Sequence, residues 1–209
     1  MSGPRATRGV LLLADISGYT GFLQAVATAH GAEMATMTEL PAAYPLMTTL
    51  LDGIVTQLVP PFRLSKLEGD AVFAYAPEDA FEHRGDSVVE VMRGCYTAFQ
   101  ERRDEAVRLM FCDCAACHGL QSLELKFVLH WGNYVVQAIA GHEELLGPDV
   151  TMAHKLLKNN VSGVVGCSAY VLVTESATQQ LEVPRQDSVA HTETFDHYPT
   201  IEANIFTLS

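Results

Sequence analysis

The sequence predicts an α+β fold in which an antiparallel-rich sheet carries helices packed on one face. Three observations lead there. A continuous apolar run, Gly9–Ala14, has the character of a central strand buried on both sides. Two later stretches read as hairpins, and segments of helical periodicity are interleaved with them. The pattern is ferredoxin-like with additions. It is not a doubly wound nucleotide-binding pattern, because no G-x-G-x-x-G loop follows the first strand.

Each element follows from local pattern. After the first strand comes the polar turn Asp15-Ile16-Ser17-Gly18-Tyr19-Thr20, then an apolar helical stretch through Ala29. A second helix is expected from Glu39 to Leu58, with Leu40, Tyr44, Met47, Leu51, Ile54 and Leu58 at three–four spacing and Pro60-Pro61 to end it. Phe62–Leu67 and Ala71–Ala76 form a hairpin about Glu68-Gly69-Asp70. A long helix from Asp86 to about Met110 presents Val88, Met92, Cys95, Phe99, Ala106 and Met110 on one side. Leu123–Trp131 and Tyr134–Ala140 read as two strands, and Asp149–Asn159 as a short helix after Gly147-Pro148. A helix near Glu175–Leu181 and strands around Val189–Phe195 and Glu202–Leu208 complete the chain.

The length of 209 residues gives room for one sizeable domain or two very small ones. A mean hydropathy of +0.13 with 48% apolar residues indicates a filled core. No apolar run approaches the ~20 residues that span a bilayer, and Val10–Ala14 is too short for a signal peptide. The expectation is a cytoplasmic protein that does not engage membranes. The net charge of −12 repels phosphate backbones and argues against nucleic-acid binding. It would repel a nucleoside triphosphate too, so the placement of the four lysines (66, 126, 155 and 158) is informative.

Asp15 closes the buried strand before a small-residue turn and a helix, where its carboxylate and the Ile16 carbonyl can ligate a hard cation. An N-terminal helix cap would use the same residues. Asp70 sits at a hairpin tip whose strand can neighbour the first. Two carboxylates at adjacent strand ends are the usual minimum for a two-metal site.

These residues carry a family resemblance. The segment Ala14-Asp15-Ile16-Ser17-Gly18-Tyr19-Thr20-Gly21-Phe22 resembles the opening motif of class III adenylate and guanylate cyclase domains, and Lys66-Leu67-Glu68-Gly69-Asp70-Ala71-Val72 resembles their second. The segment Gly147-Pro148-Asp149-Val150-Thr151-Met152-Ala153-His154-Lys155-Leu156 is similar to their third. Lys126-Phe127-Val128-Leu129-His130-Trp131-Gly132 is similar to the strand before the family's dimer arm. The likeness covers about residues 9–206 in matching order, as in a divergent, stand-alone member whose one domain occupies 1–209.

The resemblance implies two Mg²⁺ or Mn²⁺ ions on Asp15, Asp70 and the Ile16 carbonyl. Lys66 and Glu144 would contact a purine base, and Ile16, Ser17, Gly18, Tyr19 and Thr20 would cradle phosphates. The implied reaction converts ATP or GTP to a 3′,5′-cyclic nucleotide and pyrophosphate. In this family the site is built across a homodimer, with metal aspartates from one chain and base and transition-state residues from the other. The family's transition-state asparagine and arginine fall on Thr151 and Lys155. A threonine lacks the amide's geometry, and lysine lacks arginine's planar fork. Losing one such donor commonly costs ~10²–10³ in turnover. The enzyme reading is therefore of a weak or divergent cyclase. Its alternative is a catalytically degenerate module that binds nucleotide or metal and signals through its dimer.

The segment 111–122 reads as an insertion in that pattern. Its Cys112, Cys114 and Cys117 are candidate Zn²⁺ ligands that need a fourth; His118 is sterically awkward beside Cys117, so Cys95, His130 or a partner chain are the options. A reduced thiol cluster or a redox switch would account for the same cysteines. A disulfide framework is not expected from an odd count of five cysteines. His30, His83, His142, His154, His191 and His197 show no ligand spacing and read as surface or core residues. Ser17 and Ser168 lie outside any nucleophile elbow, so no hydrolase triad is expected.

Overall fold

A computed structural model describes residues 5–36, 41, 43–81, 85–196 and 198–208. The first strand, β1 (Arg5–Ser17), leads into α1 (Tyr19–Ala29), α2 (Gly31–Thr36) and α3 (Ala43–Leu58). A hairpin follows, β2 (Arg63–Glu68) and β3 (Ala71–Pro77), then the long α4 (Gly85–Leu109) and the one-turn α5 (Ala115–His118). The second half contains β4 (Glu124–Ile139), β5 (His142–Leu146), α6 (Pro148–Leu156), α7 (Val161–Val165), β6 (Tyr170–Thr174), α8 (Glu175–Gln180), β7 (Val189–Glu193) and β8 (Ile201–Thr207).

The strands form one sheet in the order β2-β3-β1-β4-β6-β8-β7, with β5 added to β4. Only the β4–β6 pairing is parallel among the described residues. β1 lies between β3 and β4 and is buried on both sides, which is why its sequence is apolar without alternation. Val10, Leu12, Ala14 and Ile16 face a core built with α1, α3, α4, α5 and α8. Leu11 and Leu13 face the opposite side, where Val150 and Ala153 of α6 cover them. A third cluster joins Met152 and Leu156 of α6 and Val161 of α7 to Val128, Tyr170 and Leu172.

The α+β sheet with helices packed on it matches the expectation, with three differences. Helices cover both faces rather than one, because α6 and α7 return across the β1–β4–β6 region on the far side. Residues 124–139 are one strand, not two, and the hairpin turn falls at Ala140 and Gly141, both at positive φ (52° and 86°). Ile139 faces His142 across this two-residue loop, the arrangement that right-twisted strands favour. The five-residue β6 and the short α2 and α7 carry too little periodicity to stand out. Glu39 and Leu40, at the start of the expected second helix, and His83 and His197 lie outside the described residues.

Candidate functional site

Side chains alternate along a strand, so Asp15 points to the same side as Leu11 and Leu13, the α6 side. Asp15 pairs in register with Ala71 of β3, and the Ile16 N–H donates to the Asp70 carbonyl at 3.3 Å. This brings the Asp70 carboxylate beside Asp15. Partial burial, and next the charge of Asp15, raise the Asp70 pKa above its ordinary value, while its own backbone hydrogen bond and Lys126 pull it down. Lys126, opposite Asp15 on β4, places Nζ 3.0 Å from Asp15 Oδ2 and donates to the Leu157 carbonyl at 3.4 Å. Two adjacent, half-buried carboxylates whose charges oppose each other fit a hard divalent cation. The Lys126 ammonium sits at the same place.

The turn after Asp15 is shaped for a backbone approach. Gly18 has φ +89° and no side chain caps α1, whose first internal hydrogen bond runs from Phe22 N–H to the Gly18 carbonyl at 3.0 Å. The first N–H groups of the helix have no partner within it and lie at its positive end, close to Asp15. Ser17 donates to the Ser168 carbonyl at 3.5 Å. Tyr19 packs against the first core cluster, and burial, then the charge of Asp70, raises its pKa. Thr20 is exposed at the same helix start.

A second polar cluster sits on this face. Lys66 Nζ lies 3.1 Å from Glu144 Oε2 on β5 and 3.3 Å from Glu68 Oε1, and the Glu144 hydrogen bond is the largest influence raising the Lys66 pKa. Glu68 also pairs with His154 of α6, Oε2 to Nε2 at 3.0 Å. His154 donates Nδ1–H to the Val150 carbonyl at 2.7 Å, and its ring stands edge-on to Phe73 at 4.7 Å. Lys66 and Glu144 are thus brought together as a charged pair. Glu68 and His154 join them, although ligand spacing does not single out His154 in the sequence. Its signal was available: His154 lies one residue before Lys155, inside the third motif.

Thr151 and Lys155 are placed differently. The Thr151 hydroxyl donates back to the Gly147 carbonyl at 3.3 Å on an exposed turn of α6. Lys155 holds its ammonium 5.1 Å from the centre of the Tyr198 ring, a cation–π contact turned toward the third core cluster.

The cysteine segment gathers into a cluster with a histidine. His30 Nε2 lies 3.3 Å from Cys114 Sγ, 3.4 Å from Cys117 Sγ and 3.7 Å from Cys112 Sγ. The Cys117 N–H donates to Cys114 Sγ at 3.3 Å, the leading cause that brings the Cys114 thiol down to about 6, while burial pushes Cys117 up to about 12. The anticipated fourth residues are elsewhere. Cys95 is buried in the first core, His118 is half-exposed 3.8 Å from Asp113, and His130 faces Thr174 and Asp149. The fourth member is His30, which is 82 to 87 residues distant in sequence and so carried no local spacing signal.

The fold is that of class III nucleotide cyclase domains. A bacterial light-regulated adenylyl cyclase superposes with a TM-score of 0.70 at 14% identity, covering 98% of this chain and 53% of that one. The guanylyl cyclase Cya2 gives 0.68 at 13% identity, with all of both chains covered. At such identities the likeness establishes the fold. Within it, the chain belongs to the family DUF2652, described as a protein of unknown function, whose model matches residues 47–164. An uncharacterized protein of Mycobacterium tuberculosis, Rv2561/Rv2562, is 33% identical over 142 residues, which is 65% of this chain. The chain spans 60% of that relative's length. Among the described residues no helix is long and apolar enough to cross a membrane.

Proposed function

We propose that this chain is a metal-dependent purine nucleotide cyclase of low turnover that works as a homodimer, with 1–209 forming one cyclase-type domain. The observation that carries the reading is the side-by-side placement of Asp15 and Asp70 on neighbouring strand ends at the start of α1. These carboxylates and the Ile16 carbonyl would hold Mg²⁺ or Mn²⁺. Bound metal would lower the pKa of the ribose 3′-hydroxyl and offset phosphate charge. The backbone at Ile16, Ser17, Gly18, Tyr19 and Thr20 would receive phosphate oxygens. Lys66 and Glu144 offer a donor and an acceptor to a purine edge. The new bond joins the ribose 3′-oxygen to the α-phosphorus as the α-phosphorus–oxygen bond to pyrophosphate breaks. The hydroxyl proton passes to solvent.

Low turnover follows from α6. Thr151 and Lys155 replace the donors that would steady the transition state, and Lys155 is turned onto Tyr198. That contact also favours a second reading, a non-catalytic module that binds nucleotide and signals through its dimer. The purified chain, incubated with Mn²⁺ and either ATP or GTP, is expected to form cyclic nucleotide well above Asp15→Ala and Asp70→Ala. Equal product from all three would remove the enzyme reading. Calorimetric titration with a non-hydrolysable ATP or GTP analogue then tests the module, and absence of binding heat would remove that too.

A further inference from the structure

We infer that His30, Cys112, Cys114 and Cys117 form a closed tetrahedral zinc site that fastens the end of α1 to the cysteine-bearing segment. The four ligand atoms all lie within 4.8 Å of one another. Zinc–sulfur bonds of about 2.3 Å and zinc–nitrogen bonds of about 2.0–2.1 Å, set tetrahedrally, put nitrogen and sulfur about 3.6 Å apart. The three nitrogen–sulfur distances, 3.3, 3.4 and 3.7 Å, straddle that value. Three thiolates and one imidazole in a tetrahedron select zinc among the common biological metals. Four protein ligands leave no open position, so the site is structural and not catalytic.

Local structure prepares the ligands. Cys114 caps α5 and Cys117 lies on the same single turn, so both sulfurs project to one side, with the Cys117 N–H already donating to Cys114 Sγ. Cys117 is fully buried in the first core cluster, which also takes in Phe22 and Val26 of α1. His30 ends α1, its N–H bonded to the Val26 carbonyl at 2.9 Å. On the far flank of the segment, Arg103 of α4 donates to the Leu123 carbonyl at 2.8 Å and pairs with Glu124 at 3.0 Å. All five cysteines are free thiols, so no disulfide competes for these sulfurs.

The position gives the site its consequence. α1 has 11 residues, about 16 Å of helix. Its first turn adjoins Asp15, and its last residue adjoins the proposed zinc. A metal linking residues more than 80 positions apart restricts the unfolded chain and holds this helix in place.

The test uses the full chain purified under reducing conditions without added metal. Elemental analysis is expected to find about one zinc per chain. Chelation followed by Co²⁺ is expected to give the intense visible bands of tetrahedral cobalt with a thiolate charge-transfer band. His30→Ala and Cys114→Ser should weaken zinc retention against a chelator by more than the ~10–100-fold typical of changes outside the ligand set. His118→Ala and Cys167→Ser should retain zinc as wild type does. Substoichiometric zinc in wild type with no tetrahedral cobalt spectrum overturns the proposal, even if the variants misfold. So does zinc loss in His118→Ala with retention in His30→Ala, or a Cys114–Cys117 disulfide in the fresh protein. None of these readouts depends on cyclase activity.

Discussion

His130 is 6% exposed on β4, with Nδ1 3.1 Å from Thr174 Oγ1 and Nε2 3.5 Å from Asp149 Oδ1. Burial holds its pKa below the ordinary histidine value, and the charge of Asp149 opposes this only in part. The folded chain therefore binds fewer protons at this ring than the unfolded chain does below about pH 6.5. Stability is fully present above that pH and is lost as pH falls toward the depressed folded value. Each unit of depression is worth about 1.4 kcal/mol. Denaturant unfolding at pH 7.5 and at pH 5 is expected to show a smaller loss on acidification in His130→Gln than in wild type. Equal losses would mean that His130 does not set this slope. The same scale separates what local sequence discloses from what it hides. Asp15, Asp70 and Lys66 stand in short motifs whose spacing is their meaning. Glu68 and His154 lie inside those motifs too, but their pairing is made by β2 and α6 folded together, and no interval in the chain ties His30 to the cysteines.

Among the elements, β4 shows most plainly how a local rule gives way to a tertiary one. Gly132-Asn133 looks like a strand break, because glycine weakens strands and asparagine favours turns. Yet Gly132 pairs with Gly9 and Asn133 with Arg8 in an unbroken ladder. The glycine is there for space. A β-carbon at 132 would run into the Asp149 side chain, whose carboxylate accepts the Asn133 N–H at 2.6 Å and faces His130. Asp149 is in the first turn of α6, so this contact sets the helix that carries Thr151, His154 and Lys155. Gly132→Ala must move either the carboxylate or the helix. Overpacking of this kind costs about 1–3 kcal/mol, or ~2–12 °C in melting temperature for a chain of this size. Calorimetry on the variant checks the figure, and an unchanged melting temperature would show that α6 is not held through Asp149. The true turn at Ala140-Gly141 was hidden by Ala140, an unusual residue at positive φ. The first strand, the β2–β3 hairpin and α4 were legible because burial on two faces, a Gly-Asp turn and long periodicity each leave a local trace.

At the scale of the whole molecule, the two polar clusters on the α6 side answer to different neighbours. The charges acting on Asp70 come from Asp15 and Lys126, whereas Lys66 is engaged by Glu144 and Glu68. If each catalytic centre is assembled from the aspartates of one protomer and the Lys66–Glu144 pair of the other, neither cluster is a complete site by itself. A twofold dimer then holds two composite centres, each drawing on both chains. An Asp15→Ala chain damages one half of each centre, and a Lys66→Ala chain damages the other. In a heterodimer of the two, both lesions fall in the same centre and the second centre is whole. Random exchange makes about half of the dimers mixed, so co-refolding equal amounts of the two variants should restore about a quarter of wild-type cyclic nucleotide production. Each variant alone should stay near background. Activity that is not restored, in a mixture shown by mass to contain heterodimers, would place both clusters in a centre contained within one chain.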